Sequence, residues 1–109
     1  MADPSGDDRL ATLTESDFSP YLNESFRIVA PAESLEARLV RVTPLGPRPP
    51  AAAKPGKRAP FSIAFRTPRE TRWPQGIYGV EHDSLGRLSI FLVPIGPDEL
   101  GMLYEAVFG

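Results

Sequence analysis

The sequence predicts an all-β fold, a single small antiparallel barrel or sandwich of about six strands with a short N-terminal helical turn. The first reason is proline: 13 prolines in 109 residues are too many for a helical bundle, where each removes an N–H donor and fixes φ. The second is that several short segments alternate apolar and polar residues, as half-buried strands do. The third is that turns containing glycine and aspartate divide the C-terminal third, which indicates hairpins.

The predicted domain spans residues 15–109, and a disordered acidic arm, residues 1–14, precedes it. The arm is poor in large apolar residues and carries three aspartates, a composition that disfavours a packed core. Within the domain, residues 44–60 are rich in proline and alanine and have no large apolar residue after Leu45. We expect a mobile, solvated loop there. It carries a basic patch formed by Arg48, Lys54, Lys57 and Arg58.

The start of the domain predicts one helical turn followed by a strand. Ser16 or Asp17 is suited to capping a turn that runs to Leu22. Asn23 is suited to the left-handed conformation, because its short polar side chain tolerates positive φ. That conformation would turn the chain into a first strand over residues 26–30.

Two further strands are predicted over residues 35–42 and 61–66. In the earlier segment apolar residues alternate with charged ones, but its Glu, Ala, Leu and Arg residues also favour a helix over residues 33–42. We prefer a strand because the segment contains β-branched valines and Pro44 cuts it short. The later segment, FSIAFR, alternates cleanly and predicts a half-buried strand.

The C-terminal third predicts two consecutive hairpins. Strands over residues 76–82 and 87–93 are joined by DSLG, which suits a four-residue turn with aspartate first and glycine last. The segment GPDELG closes a second hairpin and leads to a last strand over residues 102–108. Hairpins in this order form an antiparallel meander.

The pairing of these strands predicts a partner-binding face. If DSLG is the whole turn, His82 faces Arg87, and side chains alternate between two faces from there. One face is then lined by Tyr78, Val80, Phe91, Val93 and Tyr104. Both faces are substantially apolar, so one lines the interior and the other must be covered. We predict that the face named above binds a partner protein or a second copy of the chain, although a slip of one residue would exchange the faces of the last strand.

His82, the chain's only histidine, lies between Glu81 and Asp83. Neighbours along a strand point to opposite faces, so neither carboxylate is placed to orient the ring for catalysis. One histidine without cysteine is too few for the usual metal sites, and no glycine-rich phosphate-binding motif predicts a cofactor. We expect a protein that is not an enzyme and has no metal or cofactor, in which His82 ends a hairpin opposite Arg87.

Composition excludes further classes of function. The formal net charge of −2 predicts no nucleic-acid partner, because that binding rests on clustered Lys and Arg. The alternative is a stacking platform for single strands made by Tyr78, Phe91 and Tyr104, but that face carries only Arg87 as a cation. The sequence shows no secretion-signal pattern and no stretch near the ~20 apolar residues of a membrane span. We therefore expect a cytoplasmic protein without membrane contact.

The segments DFSPYLNESFRI, APFSIAFRTP and QGIYGVEHDSLGRLSIFLVPIGPDELGMLYEAVFG resemble a family of small bacterial domains of unknown function. The similarity covers most of residues 17–108, and the hairpin and YEAVF are its most specific parts. The resemblance implies a compact β-barrel-like fold and brings no catalytic residues. It also implies an association with phage-tail-like or tail-collar proteins.

Three functions follow as hypotheses. The leading one is a non-enzymatic protein-interaction or assembly module, part of a phage-tail-like bacterial system, which an apolar sheet without a deep pocket would favour. The second is a small ligand-binding barrel, which a closed apolar cavity with a few polar groups would favour. The third is a hydrolase-type enzyme that uses His82 with Glu81 or Asp83, which a cleft joining them to a hydroxyl would favour.

Overall fold

The computed structural model describes residues 13–45 and 59–109, which form a six-stranded barrel preceded by two short helices. The helices are α1 (Glu15–Phe18) and a 3-10 helix (Ser19–Tyr21). The strands are β1 (Ser25–Val29), β2 (Ser34–Pro44), β3 (Phe61–Thr67), β4 (Gly76–His82), β5 (Gly86–Pro97) and β6 (Met102–Phe108). The all-β prediction with a short N-terminal helical turn is confirmed, and the architecture is a barrel.

The strands are antiparallel and close in the order β1–β2–β3–β6–β5–β4, so that β4 pairs with β1. Strands that follow one another in the chain pair as hairpins, except β3 and β4. Residues 68–75 connect those two strands at one end of the barrel. Closure joins the first and last strands of the sheet, which removes the edges that an open sheet would present to other chains.

Phe18 of α1 fills one end of the barrel, which we call the helix end. Its ring is fully buried, and its centroid lies 5.9 Å from that of Phe61 and 5.6 Å from that of Phe108. The rings of Phe61 and Phe108 stack on each other at 4.7 Å across the β3–β6 pair. Three aromatic side chains thus pack against one another at the helix end.

Details of the segment before β1 differ from the prediction. The residue that caps α1 is Thr14, not Ser16 or Asp17, and the Thr14 N–H donates to the Asp17 carboxylate over 2.7 Å. Asp17 is therefore the reciprocal member of a capping box, three residues after the cap. Leu13, which the sequence assigned to the arm, is buried in the core. Asn23 has a φ of 74°, and its predicted left-handed conformation is confirmed.

The opposite end of the barrel, which we call the loop end, is closed by the 68–75 connection. The Tyr104 hydroxyl donates to the Trp73 carbonyl oxygen over 2.7 Å, and the Tyr78 hydroxyl donates to the Pro74 carbonyl oxygen. The Trp73 ring stacks on Tyr78 at 5.4 Å. Burial raises the pKa of both tyrosines. Their hydroxyls reach the loop from inside the barrel and fasten it there.

The predicted register of the β4–β5 hairpin is wrong by one residue. The turn is three residues long, 83–85, and Gly86 with a φ of 76° is the first residue of β5. Gly86 pairs with His82, so Ile77 lies opposite Phe91 and Tyr78 lies opposite Ile90. The glycine that we placed in the turn instead takes the left-handed position next to the ladder, as in three-residue hairpin loops. Every side chain of β5 therefore points to the face opposite to the predicted one.

Most of the predicted acidic arm, residues 1–14, and of the predicted Pro-rich loop, residues 44–60, lies outside the described residues. The two ends of the Pro-rich segment are described. The Leu45 N–H donates to the Pro60 carbonyl oxygen over 3.0 Å, which extends the β2–β3 pairing by one step beyond Pro44.

Replacing Phe18 tests the closure of the helix end. We expect Phe18→Ala to lower the free energy of unfolding by about 3–5 kcal/mol, because it empties a fully buried aromatic site. Leu22→Ala, in the same segment but at an exposed side chain, should change it by about 0.5 kcal/mol or less. Urea unfolding followed by tryptophan fluorescence measures both. Equal effects of the two substitutions would show that α1 does not contribute to the core.

Candidate functional site

The register places the predicted partner-binding residues on two different surfaces. Tyr78, Val80 and Tyr104 are buried in the barrel interior, so their prediction as partner-binding residues is corrected. Phe91 points outward and is 51% exposed, and Val93 is half-buried. The predicted single face does not exist, because β5 is displaced by one residue against β4.

The outer wall carries a different row of apolar side chains. Ile77 and Phe91 are direct cross-strand neighbours and are 72% and 51% exposed. On the other side of β5, Val93 pairs with Glu105, so two residues further along Val107 lies beside Phe91. Val107 is 63% exposed, and it lines a shallow groove of about 450 Å³ together with Phe91. We call Ile77, Phe91 and Val107 the outer apolar row.

Sequence reasoning missed Ile77 and Val107. Isolated exposed apolar residues are normal on a protein surface, but a contiguous row on three neighbouring strands is not. The signal that finds it is the turn length: with Gly86 counted into β5, alternation places Ile77 outward opposite Phe91. Val107 then follows from the β5–β6 register.

Charged side chains border the row on the side toward the helix end. Glu81 forms ion pairs with two arginines, with its Oε2 3.4 Å from Arg87 Nη1 and its Oε1 3.9 Å from Arg27 Nε. The Arg87 guanidinium lies over Gly79, where an added Cβ would stand 2.7 Å from Nη2. Glycine at this position therefore lets the arginine lie along the wall toward Ile77.

An acidic side chain borders the row on the side toward the loop end. Glu105 is half-buried and lies between Val93 of β5 and Ala64 of β3. Within residues 13–45 and 59–109, its carboxylate has no hydrogen bond or ion pair. The outer apolar row thus lies between a guanidinium and a carboxylate that has no partner among the described residues.

The His82 ring is packed, with its side chain 5% exposed. Its centroid lies 4.6 Å from that of Tyr21 and 4.5 Å from that of Phe26. Its Nε2 is 2.8 Å from Glu24 Oε1. No local pattern predicts this contact, because the two residues are 58 positions apart and come together through the β1–β4 pairing.

The other ring nitrogen of His82 closes the β4–β5 turn. Nδ1 accepts the N–H of Ser84 over 3.0 Å and that of Leu85 over 3.3 Å. Because Nδ1 is an acceptor, the hydrogen of the neutral ring is on Nε2, and the Nε2–H donates a hydrogen bond to the Glu24 carboxylate. A groove of about 730 Å³ near the turn is lined by His82, Glu81, Asp83 and two serines. With both ring nitrogens engaged, His82 offers that groove no free base.

The barrel interior is filled by side chains. The cavity under the loop end has no room for a water-sized molecule, and its walls are Ile28, Leu35, Thr67, Thr71, Trp73, Tyr78, Leu92 and Tyr104. In the part of the chain that the structure describes, no three His, Asp or Glu side chains are grouped to hold a metal ion. No helix among those residues is long and apolar enough to cross a membrane.

A separate polar cluster fixes the tip of the β5–β6 hairpin. Asp98 Oδ1 accepts the N–H groups of Leu100 and Gly101, each over 2.9 Å, and both carboxylate oxygens accept from Arg66. The hydrogen bond from Arg66, followed by that from Leu100, lowers the pKa of Asp98 to about 2. The cluster holds Leu100 at the tip, where its side chain is 75% exposed.

Residues 13–108 match the family described as Domain of unknown function (DUF6916). The chain belongs to this family. The match takes in α1 and all six strands, so it covers the barrel together with its closed helix end. The resemblance to a small domain of unknown function is confirmed. No curated protein and no solved structure shows significant similarity to the chain.

Asp98→Asn tests the cluster at the hairpin tip. The Asp98 pKa of about 2 in the folded protein lies below its ordinary value of 3.8. The stabilisation is therefore complete above about pH 4 and is lost as the pH falls through about 2. We expect the wild type to resist urea better than the variant near neutral pH, and the difference to shrink on acidification. A difference that stays constant from about pH 5 to about pH 2 contradicts this origin.

His82→Ala tests the structural role of the histidine. We expect a loss of about 2–4 kcal/mol in unfolding free energy, because two backbone N–H groups and Glu24 lose their partner and two rings lose packing. Asp83→Ala, at the exposed neighbouring position, is the matched control and should cost about 0.5 kcal/mol or less. Thermal unfolding by circular dichroism compares the two. If the His82→Ala protein is as stable as the Asp83→Ala protein, His82 does not have this structural role.

Proposed function

We propose that this protein is a non-enzymatic interaction module that binds another protein through the outer apolar row. The observation that carries the proposal is that Ile77, Phe91 and Val107 are exposed side by side on three neighbouring strands of a closed barrel. The core does not need these side chains, because the interior is filled without them. A contiguous apolar surface of this kind is typical of protein-binding sites.

The size of the row indicates how strong such binding is. Full burial of one large apolar side chain contributes about 1.5–3 kcal/mol, and the loss of overall motion on association costs roughly 4–15 kcal/mol. Three partly exposed side chains are therefore insufficient for tight binding on their own. Phe91 lies in the centre of the row, where a buried aromatic contributes most. The charged border must supply the remaining free energy and the orientation.

The geometry favours a protein partner over a nucleic acid. The predicted stacking platform is lost, because Tyr78 and Tyr104 point into the barrel and only Phe91 remains outside. Arg87 on β5 and Arg27 on β1 are both paired with Glu81. Among residues 13–45 and 59–109, the outer wall therefore presents neither an aromatic platform nor a free basic strip for binding single strands.

The geometry also gives less support to the two remaining functions. A ligand-binding barrel requires an interior cavity, and the space under the loop end admits no water-sized molecule. A hydrolase based on His82 requires an available ring nitrogen, and both nitrogens are engaged. An outer surface is the better-supported place for a function.

We further propose that the module is itself part of a phage-tail-like assembly. The support is the resemblance in the hairpin and in YEAVF, together with an apolar wall that a component of a larger assembly would have covered. Purification of the intact assembly from the native host tests it, because the protein should co-purify with structural tail proteins. Recovery only in fractions without tail proteins overturns this narrower proposal.

Capture from native-host lysate tests the interaction surface. Wild-type protein and Phe91→Asp are used as bait, and Leu100→Asp is the matched control, because Leu100 is equally apolar and 75% exposed but lies at the hairpin tip. We expect the wild type and the Leu100→Asp variant to retain one defined protein, and the Phe91→Asp variant to retain at least about tenfold less. Circular dichroism confirms that all three baits are folded. Equal retention by Phe91→Asp contradicts the proposal.

A further inference from the structure

We propose that the outer apolar row binds a second copy of this chain about a two-fold axis, with Arg87 of each copy meeting Glu105 of the other. The inference rests on the proposed function, since it uses the same row and names its occupant. It is carried by the placement of two opposite charges around Phe91.

The two charges are placed symmetrically on either side of Phe91. The Arg87 guanidinium lies over Gly79, which is one strand away on β4 and two residues toward the helix end. Glu105 is one strand away on β6 and two residues toward the loop end. With strands about 4.8 Å apart and about 3.4 Å per residue, each group lies about 8 Å from Phe91 along the same diagonal.

This arrangement is complementary to itself. A two-fold axis that passes through Phe91, in the plane of the wall and perpendicular to that diagonal, brings the guanidinium of one copy over the carboxylate of the other. The same rotation places the Phe91 rings of the two chains against each other. It also places Ile77 and Val107 of each chain against β5 of the other chain, next to Phe91. Both ion pairs form at once, because a two-fold interface uses the same patch twice.

The chemistry of the two groups fits this pairing. Glu105 is half-buried beside apolar side chains, and within the described ranges no basic group pairs with it. Arg87 uses Nη1 for Glu81 at 3.4 Å, and a guanidinium has five N–H donors in a plane. It can therefore hold Glu81 of its own chain and Glu105 of the other copy together. In the two-fold arrangement, a second copy places a guanidinium over this carboxylate, which has no cation partner within residues 13–45 and 59–109.

Because the row is small, we expect the dimer to bury less than about 1,200 Å² of surface, which is typical of transient complexes. We expect wild-type protein to pass from monomer to dimer between about 5 µM and about 500 µM in sedimentation velocity. Raised salt should weaken the dimer several-fold, because rim ion pairs are screened. Phe91→Asp should weaken it by at least about tenfold.

Charge reversal with mixing tests the pairing itself. Arg87→Glu alone and Glu105→Arg alone place like charges across the axis, and each should weaken dimerisation at least about tenfold. An equimolar mixture of the two variants restores both pairs, so a heterodimer of about wild-type affinity should form, seen by native mass spectrometry with one variant isotope-labelled. Arg27→Glu is the control, because Arg27 also pairs with Glu81 but lies on β1, away from the axis. It should dimerise like the wild type.

The outcomes separate this inference from the proposed function. A wild-type protein that stays monomeric to about 500 µM overturns the second copy, while loss of native-protein capture by Phe91→Asp still upholds the interaction surface. A mixture that does not recover, or an Arg27→Glu variant as weak as Arg87→Glu, overturns the Arg87–Glu105 pairing. Dimerisation unchanged in Phe91→Asp overturns the site itself. The salt titration of the wild type gives a result even where a reversed variant fails to fold.

Discussion

The three-residue turn between β4 and β5 decides which side chains enter the barrel. His82 closes this turn by accepting the N–H groups of Ser84 and Leu85, and Gly86 completes it with a φ of 76°. Because side chains alternate along a strand, the length of this turn fixes the inward and outward sets of β5 against those of β4. One more residue in the turn would bring Phe91 inward and turn Leu88, Ile90 and Leu92 outward.

The same histidine connects that turn to the N-terminal segment. Its Nε2 donates to Glu24 while its ring lies against Tyr21, so the 3-10 helix is fastened where β4 ends. Phe18 lies one turn earlier and fills the helix end between Phe61 and Phe108. Tyr78 and Tyr104 fasten the connection that closes the loop end. Because packed side chains close both ends in the part of the chain that the structure describes, the outer wall is the surface there that is best placed for recognition.

Local chemistry was sufficient to predict most of the fold from the sequence. Proline content, alternation and turn residues indicated the strands, and Asn23 was correctly assigned positive φ. The register could not be predicted, because the glycine of DSLG fits both a four-residue turn and a three-residue turn followed by a left-handed strand residue. The choice depends on whether His82 turns back to the Ser84 and Leu85 N–H groups. That orientation is set by Tyr21 and Glu24, which are far away in the sequence.

The candidate site shows the same limit from the functional side. His82, Glu81 and Asp83 are residue types that are common in catalytic sites, and they are neighbours in sequence. In the structure, however, the His82 ring is hydrogen-bonded to Glu24 and to two backbone N–H groups. The residues that form the outer apolar row come from three strands and share no sequence pattern, so only the register brings them together. Gly79 supports the same conclusion: a side chain there would collide with Arg87 and lift its guanidinium off the wall. A glycine in a strand is unfavourable unless another group needs the space. Here that group is the charge that borders the row, which ties the glycine to the outer surface rather than to the core.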